Sequence, residues 1–109
     1  MRTLKFIVDG QILKQDPSCN FENLVPGSAE CVGIEVEFSS DWNGYSKVVE
    51  FTSALGKQYP PRILVGGRSC MVPSEALARR VFKIRIIGKQ GDKKMQTNKF
   101  EVKQNGGKV

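Results

Sequence analysis

The sequence predicts an all-β fold, an antiparallel sandwich or small barrel of seven to eight short strands. Three observations carry this. First, apolar and polar residues alternate at period two. Val32, Ile34, Val36 and Phe38 stand against Cys31, Gly33, Glu35 and Glu37; Phe82, Ile84 and Ile86 stand against Lys83 and Arg85. That period marks a sheet with one buried and one wet face. Second, turn dipeptides such as Asp9-Gly10, Asn43-Gly44 and Gly66-Gly67 punctuate the chain at short intervals, as they do in sandwiches and barrels. Third, a single segment, around Pro73 to Leu77, carries helix-start features, with Pro73 suited to a first turn and Glu75 to its positive end.

Taken in order, Leu4, Phe6 and Val8 form a first strand, and Asp9-Gly10 turns the chain into a return through Gln11-Ile12-Leu13. Asp-Gly between apolar strands is a strong hairpin signal. Residues 16–28 hold two prolines, two asparagines and a glycine and read as a long connection, with Phe21 and Leu24 dipping back to the core. The strand at 30–38 follows, then the Trp42-Asn43-Gly44 corner, then a strand through Lys47 to Phe51. A turn covers Ser53 to Gly56. The extended run from Tyr59 to Val65 starts with Pro60-Pro61, which bars it from a central position. Gly66-Gly67 reads as a hairpin into Ser69–Val72, followed by one short helical turn. The Val81–Ile87 strand comes next, then a turn from Gly88 to Asp92, then a last strand from Lys94 to Lys103 with Phe100 and Val102 inward. Residues 1–103 make one domain, and 104–109 make a tail that frays. The expected core is Val32, Ile34, Val36, Phe38, Phe82, Ile84 and Ile86.

A chain of 109 residues is one ordinary domain, long enough to bury a core without a metal or disulfide staple. No apolar run approaches the ~18 residues of a membrane span. The apolar stretch in MRTLKFIVDG is too short for a signal peptide, so the protein is expected to be made in the cytoplasm and kept or assembled there. Cys19, Cys31 and Cys70 are odd in number, far apart and without a CxxC; they read as reduced residues in or near the core. A single bridge from Cys70 to Cys19 or to Cys31 is also compatible with the count.

The net charge of +6 is unevenly placed. Residues 1–75 hold 7 Lys/Arg against 9 Asp/Glu, and residues 76–109 hold 10 against 2. A basic half meets water, an acidic protein or nucleic acid. Nucleic acid is the weakest reading, because Phe100 is the sole aromatic after Phe82 and stacking platforms need several.

With no histidine in the chain, Ser-His-Asp and Cys-His catalysis are excluded. Glu35 and Glu37 share a strand face but do not face each other across a cleft, as paired glycosidase carboxylates do. Gly66-Gly67 lacks phosphate-loop spacing. No enzyme, cofactor or metal site is therefore expected. The candidate partner-binding residues are Lys83 and Arg85, on the wet face of their strand, with Trp42 and Tyr59. Trp42 reads first as packing one end of the sandwich. The Tyr59-Pro60-Pro61-Arg62 segment reads first as the entry to an edge strand, and second as a polyproline-type ligand.

Five pieces, in order, resemble a small β module of bacteriophage and prophage virion proteins, mostly of Gram-positive hosts. They are Phe6 to Leu13 (FIVDGQIL), Glu37 to Gly44 (EFSSDWNG), Lys47 to Phe51, Cys70 to Leu77 (CMVPSEAL) and Val81 to Gly88. The resemblance implies an immunoglobulin-like sandwich located in the virion and assembled in the host bacterial cytoplasm. It implies a capsid or other virion protein as partner and is compatible with a homo-oligomer. Longer members continue into fibre or receptor-binding segments. This chain stops after the module, which favours a capsid decoration or head-fibre base protein. A tail or baseplate attachment module is the alternative, and a small basic nucleic-acid-binding protein is a distant third.

Overall fold

Among the described residues one strand pairing is parallel, inside an otherwise antiparallel protein. The computed structural model describes residues 2–22, 24 and 32–104. Among them are strands β1 (Arg2–Asp9), β2 (Ile12–Gln15), β3 (Val32–Phe38), β4 (Ser46–Ser53), β5 (Arg62–Ile63), β6 (Ser69–Met71), β7 (Val81–Gln90), β8 (Lys93–Gln96) and β9 (Phe100–Lys103). A 3-10 turn spans Ser40–Trp42, and a one-turn helix α1 spans Ser74–Leu77. None of the described helices is long and apolar enough to cross a membrane.

The strands form two sheets, ordered β2-β1-β3-β6 and β5-β4-β7-β8, with β9 also on β7 beyond β8. The all-β expectation holds. Nine strands stand where seven to eight were expected, and two short helical turns where one was. β1 and β3 run parallel, from Arg2↔Val32 to Val8↔Phe38. Parallel neighbours need a crossover of about a dozen residues or more, and the chain length between Asp9 and Val32 exceeds that.

The extra strand arises at Thr97. The β8 pairing Ile87↔Gln96 and the β9 pairing Ile84↔Phe100 differ in register by one residue, as at a β-bulge. Thr97 accepts the Ile86 N–H on its side-chain oxygen at 3.0 Å, in place of its own carbonyl, and donates its N–H to Ile86 O at 3.0 Å. One expected strand thereby becomes two.

The inner faces of both sheets join one buried cluster. β1 gives Leu4, Phe6 and Val8; β3 gives Val32, Ile34 and Val36; β4 gives Val49 and Phe51; β7 gives Phe82, Ile84 and Ile86; Val102 comes from β9. Six of the seven expected core residues are buried. Phe38 is half-buried at the sheet end, its ring 5.2 Å from that of Trp42 with the Lys47 ammonium 5.1 Å above it. Leu24 is buried, and Phe21 packs edge-on to Phe6 at 5.0 Å.

Gly66 and Gly67, both at positive φ, turn the chain inside the antiparallel Val65↔Ser69 bridge, the hairpin expected there, and in doing so carry it from β5 at the edge of one sheet to β6 at the edge of the other. The other glycine-marked turn differs from expectation. Gly88 is not in a turn but inside β7, where a Cβ would come within 2.8 Å of the Trp42 ring. The turn is Gly91-Asp92, between Gln90 and Lys93. Gln104, assigned to the tail, is anchored: its side-chain amide donates to the carbonyls of Leu77 and Arg79, and its N–H to Arg80 O. The rest of the expected tail, 105–109, lies outside the described residues.

Candidate functional site

The second sheet has a wet face built by register. Val49, Phe51, Phe82, Ile84 and Ile86 point into the core, so their neighbours Val48, Glu50, Lys83, Arg85, Ile87 and Lys89 point out. Cross-strand partners set the rows: Thr52↔Lys83, Glu50↔Arg85, Val48↔Ile87, then Ser46↔Lys89. β8 and β9 continue them with Lys94 beside Lys89 and Glu101 beside Lys83. β5 adds Ile63 beside Val48, with 74% of its surface exposed.

Lys83 and Arg85 both lie on this face and both are half-buried. They differ in one respect. Arg85 donates from Nε at 3.0 Å and from Nη2 to the same Glu50 oxygen, so its charge is met within the chain. An ion pair of this exposure is worth about 1 kcal/mol or less, and its main effect here is to neutralise. Lys83, Lys89 and Lys94 have no ion pair among the described residues, where the other pair is Lys103–Glu101. The face therefore carries a cationic excess on Lys83, Lys89 and Lys94 around an aliphatic stripe of Ile63, Val48 and Ile87.

Trp42 and Tyr59 stand apart from this face and from the surface. Trp42 is 0% exposed, and its indole N–H donates to Gly10 O at 2.6 Å. Ser39 completes the corner: its N–H donates to Val8 O, and its hydroxyl oxygen accepts from Gly10 N–H at 3.0 Å. The corner thus clamps the β1–β2 hairpin, and the indole ring fills the end of the core. Tyr59 is 6% exposed, with its hydroxyl buried and its N–H donating to Phe51 O. As aromatic contacts for a partner, both are corrected to core residues; their size favoured burial over display.

Cys19 and Cys70 are free thiols, and Cys31 lies outside the described residues. The Cys19 sulfur serves the edge of β1, accepting from Lys5 N–H at 3.5 Å and donating to Thr3 O at 3.6 Å. Burial pushes the Cys70 thiol up to about 11, against a smaller opposing pull from Arg62. Such a thiol is a poor nucleophile near neutral pH. Asp16 is held below the ordinary carboxylate range by the backbone N–H and hydroxyl of Ser18. No three His, Cys, Asp or Glu residues among those described cluster to hold a metal ion.

Sequence reading missed Lys89 and Lys94 as a pair, because Gly88 was read as the start of a turn. The available signal was the alternation, which continues from Ile87 through Gly88 to Lys89. Comparison with known proteins gives no matching family model, and no significant match among curated proteins or solved structures.

Proposed function

We propose that this chain is a non-enzymatic attachment module that docks on a larger assembly through the outer face of the second sheet. The two sheets share one buried cluster, which favours reading them as the layers of a single β-sandwich of immunoglobulin-like kind. The resemblance of its five sequence pieces points to a bacteriophage particle as the assembly. There the chain would sit on the capsid as a decoration or head-fibre base protein and bridge subunits.

The observation that carries this reading is the charge balance of that face. Glu50 and Arg85 cancel, leaving Lys83, Lys89 and Lys94 without carboxylate partners among the described residues. An interface of this kind attracts an acidic protein surface and speeds encounter. Among the described residues the uncharged members of the face are aliphatic or polar, such as Val48, Ile63, Ile87 and Ser46, with no aromatic platform for bases, which disfavours single-stranded nucleic acid.

The test is co-sedimentation with purified particles assembled without the chain. Saturable occupancy that falls with salt and with the triple reversal Lys83→Glu, Lys89→Glu, Lys94→Glu is expected, with the melting temperature retained. Screening beyond the ~8 Å Debye length at physiological ionic strength makes the salt response the sharper control. Copy number locates the module: hundreds per particle places it on the capsid, a handful on the tail or baseplate. No occupancy at low salt, or occupancy indifferent to both perturbations, would overturn the proposal.

A further inference from the structure

We infer that the groove between β4, β7 and β8 reads an extended acidic protein segment, seating an aliphatic side chain on Val48 and Ile87 and a carboxylate between Lys89 and Lys94. This rests on the attachment reading and names the partner chemistry of the same face. The groove is open to solvent along the sheet face, has a volume of about 350 Å³ and is lined by Ser46, Val48, Glu50, Ile87, Lys89 and Lys94.

Two features point to that occupant. The first is the lysine pair. Lys89 and Lys94 are direct cross-strand partners, both exposed. Like charges placed directly opposite destabilise a sheet. Glu50, the groove's own carboxylate, is held by Arg85 and does not relieve them. A carboxylate from outside would turn the repulsion into two charge-assisted contacts. The second is the aliphatic row. Ile63, Val48 and Ile87 are cross-strand neighbours on three adjacent strands. At ~4.8 Å per strand they make a stripe about 10 Å long. The lysine row lies two residues along the strands from it, at ~6.7 Å, which is the spacing between residues i and i+2 of an extended segment. The groove therefore fits an aliphatic-x-acidic pattern running along β4 and β7.

The probe is a short fluorescent peptide alternating valine and glutamate, titrated with the full chain at physiological ionic strength, where charges beyond ~8 Å are screened, and followed by anisotropy. Binding is expected to weaken about tenfold or more in Lys89→Glu with Lys94→Glu, as for charges that contact a partner directly. Ile87→Ser should weaken it too. Lys83→Glu, on the same face but outside the groove, should leave it unchanged, and a peptide with lysine in place of glutamate should not bind. Absence of binding, or equal loss in Lys83→Glu, would overturn the groove. So would concentration-dependent self-association abolished by the same double reversal, since the occupant would then be a second copy. The two proposals separate in the particle assay. Attachment that survives the Lys89/Lys94 reversal but is lost on adding Lys83→Glu leaves the attachment reading standing without the groove. Peptide binding without particle attachment leaves the groove standing alone.

Discussion

Gly88→Ala should destabilise the protein although it adds a single methyl group to a strand. An ideal Cβ at this position lies 2.8 Å from Trp42 Cζ3, 3.1 Å from Cε3 and 3.2 Å from Tyr45 Cδ2. Carbon atoms rest at ~3.5–4.0 Å, so the methyl intrudes by about 0.7 Å or more on the closest atom. The ring has nowhere to go. It is fully buried, and its N–H is pinned to Gly10 O at 2.6 Å. The backbone is held too, because β7 pairs with β4 on one side and β8 on the other. Overpacking of this kind costs about 1–3 kcal/mol. Against it stands the ~0.5–1 kcal/mol that alanine ordinarily gains over glycine in a strand. The net expectation is a loss of about 1–2 kcal/mol, or roughly 5–10 °C in Tm for a domain of this size.

The assay is thermal and urea unfolding followed by circular dichroism in every background, with tryptophan emission as a second probe wherever Trp42, the chain's single tryptophan, is present. A second variant isolates the cause. In a Trp42→Phe background the smaller ring leaves room, so the added methyl should cost less, and the double-mutant cycle should show coupling of about 0.5 kcal/mol or more. A Gly88→Ala protein that melts at or above the parent, with unchanged emission, would refute the reasoning. So would a cost that is the same in both backgrounds.

The Cys70 thiol, pushed by burial from 9.0 up to about 11, should alkylate slowly. At pH 8 its thiolate fraction is ~100-fold below that of an ordinary thiol, and peptide mapping after iodoacetamide should show about that ratio between native and urea-unfolded rates. Equal rates would refute it. The folded state holds this proton more tightly than the unfolded state, so the associated stability is complete below pH 9 and declines as pH rises toward 11. Asn98→Ala should loosen the tie between the two sheets. The Asn98 side chain accepts from Leu13 N–H at 2.7 Å and donates to Leu13 O at 3.2 Å. Its removal should cost about 1–3 kcal/mol by leaving those groups unpaired. Hydrogen exchange should show the Leu13 amide deprotected, and unchanged protection there would refute the role.

Local pattern was legible wherever burial follows the pleat. The Val81–Ile87 alternation placed Phe82, Ile84 and Ile86 in the core and Lys83 and Arg85 outside, as the structure has them. The β1–β2 hairpin and the one-turn helix α1 were legible for the same reason: each is decided by residues a few positions apart. What escaped depends on residues far apart in sequence. Gly88 reads as a turn because a missing side chain is ambiguous; the reason for it, the Trp42 ring, lies on a distant corner. The parallel β1–β3 pairing joins strands far apart in sequence, and no local period records its direction. The bulge at Thr97 needed a hydroxyl to stand in for a carbonyl, which no period in the sequence records.

The candidate face shows the same division more sharply. The count of ten basic residues against two acidic ones in residues 76–109 was visible at once, yet a count assigns no charge to a partner. Arg85 is neutralised by Glu50, which belongs to the half of the chain with the acidic excess and meets Arg85 solely through the β4–β7 register. Reversing Arg85 would therefore test a cross-strand pair before it tested attachment: Arg85→Glu sets two carboxylates opposite each other, and a lost interaction could not be separated from a distorted sheet. Lys89 and Lys94 become neighbours because the hairpin turns at Gly91-Asp92. A slip of that turn by one residue would send one of them to the inner face. The partner-facing charge of a sheet is thus a property of its register pairs, and the discriminating substitutions are those at lysines whose register partner is not a carboxylate that already holds them.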